Sequence, residues 1–451
     1  MRSVSLARRP GLALPFWLKK TCVRTGIARF TPLAKRLTGG EPRFARYVSD
    51  RVLAAPLNEL LDPATAPQSS GYDLVNLNLA APEFELPPML RPSRDANTED
   101  AFGSEKLRQV IAEHERRDGR TVDPVEQILV THGARGAYAS VLDAFVNPGD
   151  RVVLFDPCSP LFHLGAKSRR AALRWVPTWS EDGRARFLSA GLTKAMRGAM
   201  LLVLAQPANP TGGRFSTEDL EEIAWLANRN DVLVCVDESF ARFQFDPAPP
   251  KLSILPGMDA RTISINSMTA GYGLGTLRVG WLSGHRQLVR TAALCANLNA
   301  PPVSPICQHA VATVLIRDRA AFAPMLQQVR DRRQYTFDRL KGLGLEPTWP
   351  AAGVTMWVSV ASLGIDGRSF AEKLLRDHRV LVGPGCAYGP SGESFVRISY
   401  AVEEGRLREG LSRLGRFVAE LKNPNPTVVT ARVTTGEPAL ITETEPSFSR
   451  V

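Results

Sequence analysis

The sequence predicts an α/β fold: a mostly parallel central sheet covered by helices, followed by a smaller C-terminal α+β domain. Three observations carry this. Short β-branched runs alternate with longer segments of helical period, as in successive βα units. The runs are apolar almost throughout, as strands buried on both faces are. Near residue 330 the alternation gives way to a different arrangement of helix and strand signals.

Taken in order, residues 1–70 read as a basic extension and linker, with "DPATAPQSS" at 62–70 offering little to bury. A large domain is expected over 71–325. Its strands are "QILVTHG", "DRVVLFD", "MLLVLAQ", "DVLVCVDES" and "RTISINS", and its helical segments include 217–230, with a further one at 317–342 leading out of it. Residues 326–421 form the smaller domain: a helix, the broken stretch "GLGLEPTWPAAGVTMWVSVA", a second helix, then "RVLVGPGCAYG" and "SFVRISYA". The Thr-, Pro- and Glu-rich segment 422–451 reads as a flexible tail. No internal repeat is present.

Composition narrows the function classes. The 451 residues are 44% hydrophobic and 22% charged, with no run of 18 apolar residues, so neither a membrane-spanning nor a wholly disordered chain is expected. Six widely spaced cysteines without a CxxC pair suggest neither a disulfide scaffold nor a metal cage, so the expected compartment is reducing and cytoplasmic and no metal is expected. The net charge of +11 is concentrated in residues 1–50, which hold 11 Lys and Arg against 2 acidic residues. The body is close to neutral, and nucleic-acid binding is not expected. The extension is expected to pack on the body or on a partner subunit, with a targeting role as the alternative.

Several residues stand where chemistry is performed. Gly133 lies between a strand and a helix that starts near Ala134, where free backbone N–H groups attract phosphate or carboxylate. Arg135 in the first turn opposes the helix dipole unless an anion compensates it. His132 beside them is open between a strand-end residue and a ligand. Asn209 in "QPANPTGG" and Asp237 in "VLVCVDESF" both follow apolar runs, at the carboxyl ends of strands where open α/β sheets bind ligands. A carboxylate at Asp237 needs a partner, either an arginine or a protonated ring nitrogen. In "SINSMTAGYGLGTLRVGW", Ser267 and Arg278 supply a hydroxyl and a guanidinium for one phosphate, with a glycine-rich surface loop as the alternative. Arg397 in "FVRISY" calls for a carboxylate if it points inward.

Together "VTHGARGA", "PANPTG", "VDES", "SMTAGYGLGTLRVGW", "VLVGPGCAYG" and "VRIS" resemble, in order and spacing, the fold-type I pyridoxal-phosphate enzymes of the aminotransferase class I/II family, from about Val75 to Arg416. The resemblance implies a homodimer, a large cofactor domain, pyridoxal 5'-phosphate as cofactor and an α-amino acid as substrate, without a membrane. It implies that Asp237 binds the pyridine nitrogen and Asn209 the phenolic oxygen. Ser267, Arg278 and the backbone at Gly133, Ala134 and Arg135 hold the phosphate, and Arg397 grips the substrate carboxylate.

The departures from the family pattern bear on activity. The position of the Schiff-base lysine, eight residues before Arg278, is Ala270, and the nearest lysines, Lys251 and Lys341, fall outside the motif. Alanine neither forms the covalent link nor returns a proton. The expected protein is a catalytically disabled aminotransferase. The intact flanks favour an introduced lysine-to-alanine change, and a natural ligand-binding or regulatory homologue is the alternative. Phe240 replaces the usual tyrosine after Asp237. Ser159 stands where a stacking aromatic is expected, with Phe162 or His163 as substitutes, and Thr98 stands where the partner's tyrosine would fall. These changes keep open a specialised biosynthetic parent that performs elimination, replacement or carbon–carbon bond formation.

Overall fold

The computed structural model describes residues 75–77, 101–181 and 183–423. The basic extension, Thr98 and the tail beyond 423 lie outside them. The strands are β1 (Val75–Asn76), β2 (Ile128–Thr131), β3 (Arg151–Asp156), β4 (Ala172–Glu181), β5 (Arg184–Phe187), β6 (Leu201–Ala205), β7 (Leu233–Asp237), β8 (Thr262–Ser267) and β9 (Gly280–Gly284). They continue with β10 (Glu346–Pro347), β11 (Thr355–Ser359), β12 (Val380–Leu381), β13 (Gly383–Pro384) and β14 (Phe395–Ser399). The helices that frame the site are α1 (Glu105–Arg117), α2 (Gly133–Phe145), α3 (Pro160–Ser168), α4 (Ser189–Met196), α5 (Thr217–Asn230), α6 (Met268–Tyr272), α7 (Arg286–Asn299) and α8 (Pro305–Gly342).

An eight-stranded sheet runs in the order β2-β9-β8-β7-β6-β3-β4-β5. Neighbours from β8 to β4 are parallel, and β9 and β5 join antiparallel. Strand β6 shows why these runs are continuously apolar. Leu201 and Val203 enter the layer under α2, α3 and α7, whereas Leu202 and Leu204 enter the opposite layer under α4 and α5. Each leucine removed from water on either face contributes about 1.5–3 kcal/mol. Helix α5 begins with a reciprocal cap: Ser216 Oγ accepts the Asp219 N–H at 3.2 Å, and Asp219 Oδ2 accepts the Ser216 N–H at 3.0 Å.

The smaller unit is an antiparallel sheet, β10-β11-β14-β13, backed by helices α9 (Gly367–His378) and α10 (Glu404–Lys422). Residues 75–77 belong physically to it. Strand β1 pairs in parallel with β12, the Leu77 N–H donates to the Leu381 carbonyl, and the Ser399 N–H donates to the Leu77 carbonyl.

A buried charge cluster ties α1 to the sheet. Lys251 Nζ lies 2.9 Å from Glu115, 3.1 Å from Glu238 and 3.5 Å from Asp118. Trp281 Nε1 donates to Glu115, and Ser264 Oγ donates to Glu238. Burial alone would raise the Glu115 carboxyl, but the Lys251 ammonium and the Arg120 guanidinium outweigh it and hold the carboxyl down at about 2. Its contribution to stability is therefore complete above the ordinary value of 4.5 and is lost as pH falls toward about 2. Replacing one member strands the others as buried charge. Lys251→Met is expected to destabilise the large domain by about 3–5 kcal/mol at pH 7, read as a lower urea midpoint, and the deficit relative to the parent chain is expected to shrink as pH falls from 4.5 toward about 2, where the parent loses the same contribution.

Candidate active site

The candidate residues converge at the carboxyl ends of the central strands. The convergence has a backbone cause. Gly280 opens β9 and is paired with Thr131 of β2 on one side and Ser267 of β8 on the other. A Cβ at Gly280 would lie 2.5 Å from the Asn266 carbonyl oxygen and 2.7 Å from the Gly133 carbonyl carbon, so only glycine fits. The approach brings the start of α2, Ser267 and the segment carrying Arg278 together.

At this junction Gly133 has φ +68° and Arg278 φ +51°, and Arg278 Nη2 lies 3.5 Å from where a Cβ on Gly133 would sit. No side chain caps α2. The N–H groups of its first turn therefore remain available as donors. Ser267 Oγ accepts the Thr269 N–H at 3.1 Å, which leaves its own proton free to donate outward. Arg278 is exposed, and no carboxylate pairs with it among the described residues. The set suits an anion of phosphate shape. Arg135 is exposed at the same turn, whereas His132 Nε2 lies 2.9 Å from the Pro301 carbonyl, a structural contact.

Asp237 ends β7, and its Oδ1 accepts the Ser239 N–H at 2.9 Å. Desolvation raises its pKa, and no cation neutralises it among the described residues. Across the cleft, Arg397 Nη1 donates to Asn209 Oδ1 at 3.1 Å, so a side chain of the small sheet reaches the loop after β6. Arg397 is 5% exposed and its guanidinium lies 5.1 Å from the Tyr388 ring centroid. Asp156 at the end of β3 binds the same small unit through the Ser391 N–H and hydroxyl.

The remaining candidates make their contacts within the protein interior. Phe162 is fully buried in the large-domain core, its ring 5.4 Å from Tyr138 with edge contact, and the Tyr138 hydroxyl donates to its carbonyl. His163 Nε2 lies 2.9 Å from the Ala387 carbonyl, and burial lowers its pKa. Ala270, 9% exposed in α6, belongs with Phe240 and Phe243 to an apolar cluster that continues into the smaller domain.

The surroundings of Arg242 and the ion pairs of Lys251 were not legible in the sequence. The Arg242 guanidinium lies 4.0 Å from the Tyr272 ring centroid and 3.5 Å from that of Phe322, and burial pushes its pKa down to about 10. Lys251 is held as an ammonium by Glu238 and Glu115, its pKa raised despite burial. It is therefore no substitute for a neutral amine. Lone Arg and Lys residues outside any motif gave no signal.

The family model described as "Aminotransferase class I and II" matches residues 73–414. The arginine–pyruvate transaminase of Pseudomonas aeruginosa is 31% identical over 373 residues, 79% of this chain and 93% of that protein. The solved aromatic aminotransferase of Pyrococcus horikoshii aligns with a TM-score of 0.72 at 28% identity, covering 78% of this chain and 97% of that one. N-succinyldiaminopimelate aminotransferase of Mycobacterium tuberculosis aligns with a TM-score of 0.72 at 26% identity, over 76% and 93% of the two chains. The chain belongs to the aminotransferase class I and II family, and the family supports a pyridoxal-phosphate cofactor.

Gly280→Ala is expected to cost about 1–3 kcal/mol by forcing backbone apart. Thermal melts with and without inorganic phosphate check the site: the variant should lose any stabilisation that phosphate gives the parent chain.

Proposed function

We propose that this member of the aminotransferase class I and II family binds pyridoxal 5'-phosphate and an α-amino acid but lacks the residue that carries the proton, being catalytically disabled at Ala270. The observation that carries the reading is the contrast between a retained cradle and a missing base. Ser267, Arg278 and the uncapped start of α2 fit a phosphate. Asp237, half-buried and without a cation among the described residues, fits a protonated ring nitrogen, and Asn209 fits a phenolic oxygen. Ala270 and Phe240, by contrast, present only hydrocarbon where a lysine and a tyrosine are expected.

Bound pyridoxal phosphate supplies a ring that withdraws the electron pair left at the substrate α-carbon when its proton departs. The chain's own residues do the rest. Arg397, oriented by Asn209, holds the α-carboxylate in a bidentate grip. Asp237 keeps the ring nitrogen protonated. A lysine at 270 would take the α-proton and return it to the cofactor carbon, and the methyl group of alanine does neither.

A homodimer is part of the proposal. Leu294 and Leu298 on α7 and Ile306 and Ile316 on α8 are between 48% and 80% exposed, an apolar face that a second copy would cover. A second reading, a non-catalytic binding homologue, is favoured by the joint loss of lysine and tyrosine within one apolar cluster.

Ala270→Lys decides between them. With pyridoxal phosphate and an amino acid, the revertant is expected to release keto acid at a rate about 10²–10⁴ times that of the parent chain, the range of a positioned acid–base group. Cofactor binding without turnover in the revertant supports the non-catalytic reading. Absence of cofactor binding in both overturns the catalytic reading and leaves a homologue that binds its ligand without the cofactor.

A further inference from the structure

Beside the Arg397–Asn209 contact lies a cavity of about 190 Å³ between the two units. From the large domain come Phe155, Trp179 and Phe215, and from the small sheet come Trp357 and Phe395. The other lining side chains are small, apolar or uncharged; none is ionised. We propose that the α-amino acid bound here carries an aromatic or bulky apolar side chain, lodged in this cavity. The inference rests on the proposed function for the carboxylate grip of Arg397 and adds the substrate class.

Register joins the two parts of the substrate. Trp357 is directly opposite Arg397 across β11 and β14, so both side chains leave the same face. Their Cβ atoms are about 4.5–5.5 Å apart, as for any directly opposed pair. Phe395, two residues before Arg397 along β14, shares that face and stacks on Trp357 with ring centroids 5.1 Å apart and 6° between planes. The edge of the Tyr388 ring closes on Trp357 at 5.5 Å. A substrate held at its carboxylate by Arg397 therefore extends its side chain along an aromatic wall.

Size and solvation select the class. An apolar cavity of about 150 Å³ holds benzene, so 190 Å³ holds a phenyl ring with room for its methylene. A charged side chain would shed its hydration with no opposite charge on the wall to replace it. Dicarboxylic and basic amino acids are therefore disfavoured. Trp179, 44% exposed, stands at the mouth, where a longer ring system can reach solvent.

Calorimetric titration of the cofactor-loaded chain with L-phenylalanine, L-alanine, L-aspartate and L-arginine tests this without turnover, because Ala270 leaves the ligands unconverted. L-phenylalanine should bind at least about tenfold more tightly than the other three, the scale on which a pocket discriminates apolar groups. Trp357→Ala should remove that advantage while leaving L-alanine within about twofold, a split that general loss of structure would not produce. Phe395→Ala gives the same split and serves should the first variant fail to fold. Equal affinities, a preference for aspartate or arginine, or an equal loss for phenylalanine and alanine overturn the substrate class while leaving the proposed function standing. If no amino acid binds the loaded chain, both fall together.

Discussion

The close backbone approach at Gly280 in the large sheet is the constraint on which the rest depends. Strand β9 must enter between β2 and β8 with its first residue against Asn266 on one flank and Gly133 on the other. No residue with a side chain meets that requirement. Because β9 enters there, the helix that follows β2 points its free donors at the same spot as Ser267, and the turn that precedes β9 delivers Arg278. Three segments distant in sequence thus meet by steric necessity.

A second constraint is electrostatic and divides the end of β7 between two faces. Asp237 looks into the cleft with no cation among the described residues, while the next residue, Glu238, turns into the cluster of Lys251, Glu115 and Ser264. Alternation along a strand makes this separation unavoidable. Lys251 is thereby committed to structure. Phe240 and Ala270, by contrast, lie together in an apolar cluster that holds no charged group.

Much of this was legible in the sequence because it follows from short-range pattern. Unbroken apolar runs mark strands covered on both faces, and polar residues just after them, Asn209 and Asp237, must lie at the carboxyl edge. The helical segment read at 217–230 coincides with helix α5, Thr217–Asn230. What was hidden depends on faces and distant partners. Phe162 sits three residues into a helix whose period turns it toward Tyr138 and away from the cleft. Glu115 and Lys251 are 136 positions apart and carry no motif. The apolar wall beside Arg397 became visible only once β11 was paired with β14 and Trp357 fell opposite the arginine.

The pairing of β1 with β12 bears on how the chain is made. Val75 waits for Val380, roughly 300 residues later, before its strand has a partner. At about 5–20 residues per second that interval lasts tens of seconds on the ribosome. The large domain can complete its sheet within it, since β2 through β9 are all translated first. The smaller unit cannot close until almost the last element has emerged. Closing so long a loop costs only slightly more entropy than closing a shorter one, so the delay is one of supply. Whatever precedes Val75 in the nascent polypeptide stays tethered to an unfinished neighbour until synthesis is nearly over.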